Sequence, residues 1–205
     1  VAQRKRWRLP AGVSETVGEN AGLSSEHIQL VPLLSEEQVA SRVKELSREI
    51  SDDCRGLSLL AVGVLKGAFV FLADLVRQLS VPVRVDFISL SSYGPATVSS
   101  GTITVRTPLS RSAHGCDVLL VEDIVDTGLS IDFLCRELAR QRARSLRVCT
   151  LLDKPSRRVV PVELDYVGFT VPDRFVVGYG IDYKEQFRHL PYIAFIEPSR
   201  MDRSS

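Results

Sequence analysis

Histidine, methionine and tryptophan are scarce in this chain, at three, one and one among 205 residues. The three histidines (His27, His114 and His189) show no triad or metal-ligand spacing and are expected to be structural or surface residues. Four cysteines (Cys54, Cys116, Cys135 and Cys149) form no CxxC pair, and only His114 lies near one of them. This argues against a zinc site and for a reduced, cytoplasmic protein. An excess of charge of either sign is also missing: 26 basic and 25 acidic residues leave a formal net charge of +1. Nothing global then drives the chain towards nucleic acid or a membrane surface, and anion binding has to be local. Apolar runs end at about ten residues, short of a membrane span. The hydrophobic fraction of 44% and charged fraction of 25% are those of a soluble globular protein, and the length suits one domain with a sizeable core.

Two segments are poor in acids. VAQRKRWRLPAG, at residues 1–12, has four basic residues and no acid before Glu15. It lacks the apolar stretch of a secretory signal and is expected to be a solvated tail, with organellar targeting left open. From Phe87 to Cys116 there is no acid at all, although Arg106 and Arg111 are present. The irregular stretch within it, residues 91–115, is long for a compact domain and reads as a lid, with GTITVRT alternating enough for a short hairpin arm.

The remainder is periodic. SEEQVASRVKELSREI (35–50) places Val39, Val43, Leu46 and Ile50 on one helical face behind a Ser35 cap. LSLLAVGVL (57–65), VRVDFISL (83–90), DVLLVEDI (117–124) and SLRVCTLL (145–152) read as strands. GAFVFLADLVRQL (67–79) and LSIDFLCRELARQRA (129–143) read as helices between them. Such alternation of doubly apolar strands with helices predicts an α/β fold with a parallel sheet covered on both faces. After residue 155, short β runs broken by Pro and Gly suggest a small appended subdomain.

In open parallel sheets ligands bind beyond the carboxyl ends of the strands. Here those ends deliver Lys66-Gly67, then Ser91 to Gly94, then Glu122, Asp123 and the turn Asp126-Thr127-Gly128-Leu129-Ser130, then Asp153-Lys154. The 126–130 turn opens a helix, so free amides, the helix dipole and two hydroxyls suit a phosphate. Adjacent carboxylates would repel that phosphate unless they hold sugar hydroxyls or a divalent cation. A phosphorylated sugar whose diol meets Glu122 and Asp123 reconciles both features. Alternatively, Thr127 is only a helix N-cap and the acids complement the dipole.

The stretch VLLVEDIVDTGLS (118–130) resembles the phosphoribosyl-pyrophosphate (PRPP) binding motif of type I phosphoribosyltransferases. LLDKPSRR and VPDRFVVGYGIDY…FRHLPYI are most similar to the bacterial-type hypoxanthine-guanine phosphoribosyltransferases, over roughly residues 33–197. The resemblance implies a central parallel sheet flanked by helices, with a hood subdomain and a long mobile loop. Its boundaries are an N-terminal extension (1–32), a PRPP-binding core (33–155) and a C-terminal hood with purine-binding residues (156–205). It implies magnesium-dependent transfer of phosphoribose from PRPP to hypoxanthine or guanine, giving IMP or GMP and pyrophosphate in purine salvage, by a homodimer or homotetramer. By position, Glu122 and Asp123 would hold the ribose hydroxyls, and Asp126, Thr127, Gly128, Leu129 and Ser130 the 5-phosphate. Asp126 would exchange a proton with the purine N7. Lys66 and Gly67, with a non-proline cis peptide before Lys66, and Arg188 would meet pyrophosphate. Ser92 and Tyr93 would form the tip of the mobile loop. Lys154, Phe175, Val176 and Asp182 would surround the base, with Glu122, Asp123 and Asp182 as magnesium ligands. The acid-free loop departs from relatives, which usually carry acids there.

Overall fold

The computed structural model describes residues 28–92 and 103–198. The expected tail at residues 1–12, together with His27 and Tyr93, lies outside the described residues. Strand β1 (Ile28–Leu34) leads into helix α1 (Glu36–Asp53), and β2 (Leu59–Leu65) into α2 (Phe69–Val76). Next come β3 (Val83–Ser92), β4 (Ile103–Thr107), β5 (Asp117–Val125), α3 (Leu129–Arg140) and β6 (Ser145–Asp153). A short 3-10 turn (Pro155–Arg157) precedes β7 (Tyr166–Thr170), β8 (Val176–Val177) and β9 (Ile193–Pro198).

Six strands form the main sheet in the order β4-β3-β2-β5-β6-β7, parallel except for β4, which runs antiparallel to β3. The expected hairpin arm is therefore β4 against β3. Because side chains alternate along a strand, two cores follow from residue parity. Leu59, Ala61, Leu119, Val121, Cys149 and Leu151 face one way, against Val43, Leu46 and Ile50 of α1 and Phe71, Leu72 and Leu75 of α2. Leu60, Val62, Val64, Val118, Leu120 and Val148 face the other, against Ile131, Leu134 and Leu138 of α3. Each fully buried Leu or Ile contributes about 1.5–3 kcal/mol by leaving water. This double covering explains why the strands are apolar throughout.

Helix α1 begins as its sequence requires. The Gln38 amide donates to Ser35 Oγ (3.3 Å) and the Ser35 amide donates to Gln38 Oε1 (2.8 Å), closing a capping box. Helix α2 is shorter than expected, because residues 66–68 form a turn on leaving β2 and a tight Gln78-to-Leu75 bond follows its end. A second, three-stranded antiparallel sheet, β1-β9-β8, joins the two ends of the described chain. Residues 156–205, expected as hood, thus also supply β7 to the main sheet, while β1 begins inside the expected extension. Pairing decides both, and the β runs after residue 155 carry no local mark of which sheet they join. Pro32 is tolerated because β1 is an edge strand. No helix among the described residues is long and apolar enough to cross a membrane.

Candidate active site

The parallel strands β2, β5 and β6 end at one edge of the main sheet, and each end delivers polar groups. At the end of β2 the Leu65–Lys66 peptide is cis, and Gly67 passes directly over Asp123. A Cβ on Gly67 would overlap the Asp123 carboxylate, so any larger residue there would displace that side chain. At the end of β5, Glu122 and Asp123 are both buried. Burial, and then the charge of Asp123, hold the Glu122 carboxyl well above the ordinary carboxylate range. Burial also raises the Asp123 carboxyl, opposed by hydrogen bonding to Glu122 and backbone amides and by the charge of Arg188.

Beyond this pair the chain turns at Gly128, whose φ of +86° opens α3 without a side-chain cap. Thr127 Oγ1 accepts only a long bond from the Leu129 amide (3.4 Å). The expected alternative, Thr127 as N-cap, is therefore replaced by a glycine cap, and the first-turn amides have no acceptor within the helix. A Cβ on Gly128 would meet the Val160 carbonyl at 2.8 Å. The Val159 and Val160 amides both donate to the Thr127 carbonyl (2.9 and 3.2 Å), clamping the turn from behind. A cavity of about 240 Å³ opens in front of it, lined by Glu122, Asp126, Thr127, Gly128 and Ser130.

A second cavity, of about 280 Å³, adjoins the first, sharing Ile124 and Asp126. Lys154 lines it from the end of β6, a buried cation whose amide donates to the Val125 carbonyl (2.9 Å). Phe175 lines it from the hood side, 53% exposed and edge-on to Tyr183 at 5.4 Å. Val176 and Ile181 complete its apolar wall. An exposed phenylalanine beside a cavity is a surface on which a flat ring can lie.

Arg188 reaches the edge from the hood and donates to Asp182 Oδ1 (2.7 Å) and to the Gly180 carbonyl (2.8 Å). The Glu185 amide takes the other Asp182 oxygen at 2.8 Å. Lys66 Nζ pairs with Glu185 at 2.8 Å, and Glu185 also lies 3.5 Å from Arg188. The structure thus brings Lys66, Gly67, Glu122, Asp123, Asp126, the 127–130 turn, Lys154, Phe175, Val176, Asp182 and Arg188 to one edge. Ser92 ends β3, the neighbour of β2. Sequence reasoning missed Arg157, Asp173 and Glu185. Arg157 Nε donates to Asp126 Oδ1 at 3.2 Å, and its Nη1 lies 3.7 Å from Asp173. Arg157 and Asp173 lie in motifs that were singled out, while Glu185 falls between two of them, and spacing alone does not say which charges meet.

A glycine-capped helix start with free amides, a buried acidic pair and an adjoining cavity with a flat apolar wall suit the class of enzymes that handle phosphorylated sugars. The family model of the phosphoribosyl transferase domain matches residues 32–184. A hypoxanthine-guanine phosphoribosyltransferase of Bacillus subtilis (strain 168) is 46% identical over 167 residues, covering 82% of this chain and 93% of that protein. One of Mycobacterium bovis is 47% identical over 189 residues, covering 89% and 93%. The crystal structure of one from Bacillus anthracis superposes with a TM-score of 0.79 at 45% identity, covering 83% of this chain and 99% of that one. The chain belongs to the hypoxanthine-guanine phosphoribosyltransferase family.

Proposed function

We propose that this chain transfers phosphoribose from PRPP to hypoxanthine or guanine, giving IMP or GMP and pyrophosphate, as a purine-salvage enzyme. The observation that carries this reading is Asp126 at the meeting of the two cavities, one lined by the phosphate turn and one by Lys154 and Phe175. Ribose C1′ then lies between them, with Asp126 beside it. As purine N9 bonds to C1′ and the bond from C1′ to the pyrophosphate oxygen breaks, the proton on N7 passes to the Asp126 carboxylate. Lys154 donates to the 6-oxo group, Phe175 stacks on the ring and the backbone of Val176 reads its edge. Glu122 and Asp123 hold the ribose hydroxyls, the 127–130 amides hold the 5-phosphate, and Lys66, Gly67 and Arg188 meet pyrophosphate.

Among the described residues no three carboxylate, histidine or cysteine groups gather into a closed metal cage. Magnesium keeps several waters and is bound through one or two carboxylates together with substrate oxygens. The buried Glu122–Asp123 pair, raised by desolvation, is a place where a divalent cation would offset the cost of two charges. Magnesium held through Glu122 and Asp123 on the ribose side, or through Asp182 on the hood side, would supply neutralisation of the leaving pyrophosphate. The enzyme works in the cytoplasm as a homodimer or homotetramer, for which exposed Phe69 of α2 and Val85 and Phe87 of β3 offer apolar surface.

The test is kcat/KM for hypoxanthine, guanine and adenine at saturating PRPP and magnesium. Lys154 has three donors and no acceptor, so the amino group of adenine leaves it facing a donor. Adenine is expected to be worse by about 10⁴. Comparable values for adenine and hypoxanthine would remove Lys154 from base reading and end the 6-oxopurine assignment.

A further inference from the structure

Arg157 stands on the 3-10 turn after Lys154 and divides its guanidinium between two acids. Its Nε bonds Asp126 Oδ1 at 3.2 Å, and Nη1 lies 3.7 Å from Asp173 Oδ2. All three side chains line the cavity assigned above to the base. The pairing opposes the proposed chemistry, because while Arg157 holds Asp126 Oδ1 that oxygen is engaged by the guanidinium and is not open to the N7 proton. The Asp173 carboxylate, on the hood side, is the alternative anion within reach. The side chains of Arg157, Asp126 and Asp173 are 49%, 40% and 52% exposed, so solvent screens both pairs and exchanging one for the other costs little.

We propose that Arg157 is a positioning residue that hands its guanidinium from Asp126 to Asp173 as a base enters, freeing Asp126 to take the N7 proton. The proposal rests on the role of Asp126 given above. Asp173 touches neither substrate nor Asp126 in this scheme; it acts only by receiving Arg157. Its effect must therefore vanish when Arg157 is absent, which a direct contact with the base would not do.

The experiment is a double-mutant cycle of D173N, R157Q and the double variant, reading kcat/KM for hypoxanthine at saturating PRPP and magnesium. D173N is expected to lower kcat/KM by about two- to fivefold, the size of an exposed ion pair. In the R157Q background the same change is expected to have no effect. KM for PRPP, read in all four proteins, is expected to stay constant, since the phosphate side is untouched. A drop that persists in R157Q, or no drop from D173N alone, overturns the hand-over. Absence of wild-type turnover overturns the functional reading as well, so the two failures are distinguishable.

Discussion

Strand β5 carries buried acids at both ends, and the two ends treat them in opposite ways. At its start, Asp117 accepts from Arg144 Nε (3.0 Å) and Nη2 and from Ser145 Oγ (2.8 Å). The Arg144 guanidinium holds its carboxyl below the usual range. At its end, Glu122 and Asp123 are buried against each other, and both carboxyls are pushed up. The first acid is satisfied within the protein and joins β5 to the start of β6. The second pair is buried acid beside acid, which costs stability. Acids on one strand, a few residues apart, thus divide into a satisfied tie and a destabilised pair by their partners alone.

The largest expected break in this contrast comes from Asp126→Asn, which keeps the shape but removes the proton acceptor. It should lower kcat by about 10²–10⁴ and leave the KM for PRPP and the melting temperature near wild type. Wild-type turnover by the folded variant would exclude Asp126 from proton transfer.

Glu122→Gln should separate function from stability. Losing a charged acceptor for the ribose hydroxyls is expected to lower kcat/KM for PRPP by about 10- to 100-fold. The fold should gain about 1 kcal/mol at neutral pH without divalent cation, because a buried charge is removed. The folded value for Glu122 lies above its unfolded one, so its favourable contribution is lost as pH rises through the folded value. The advantage of the variant must therefore appear at neutral pH and fade in acid. Denaturant melts at several pH values check this; a destabilised variant at neutral pH would mean that Glu122 is satisfied internally.

The smallest effect should come from Asp117→Asn, which leaves turnover unchanged and lowers stability by about 1 kcal/mol at pH 7. Here the folded value lies below the unfolded one, near 3.9. The contribution is present above that pH and lost as pH falls through the folded value. Wild type and variant should therefore converge in acid, below about pH 4. Equal melting curves at pH 7 would make the amino end of β5 no different from any exposed acid.

Much of the fold was legible. The 3.6-residue spacing of Val39, Val43, Leu46 and Ile50, and the apolar runs at 59–65 and 118–121, are local signals that tertiary structure had no reason to override. The strand ends were also legible, because a parallel sheet sends every carboxyl end to one edge. The hood was harder. β1 finds β9 from the far end of the chain, and the three strands are short and interrupted. Nor did helix α2 announce its early end, since its apolar residues continue past Val76 as the chain turns.

The sequence by itself determined the alternation of strands and helices from α1 to β6, the turn at 126–130 and the acids beside it, since periodicity and spacing are properties of neighbours along the chain. Only the tertiary structure decided which charges meet. Arg157 reaches Asp126 across 31 residues and Lys66 reaches Glu185 across 119, while Gly67 lies on Asp123 and Asp117 finds Arg144. Whether an acid is tied or left to bind a ligand depends on its burial and on the groups brought to it. Both are set by packing between segments remote in sequence.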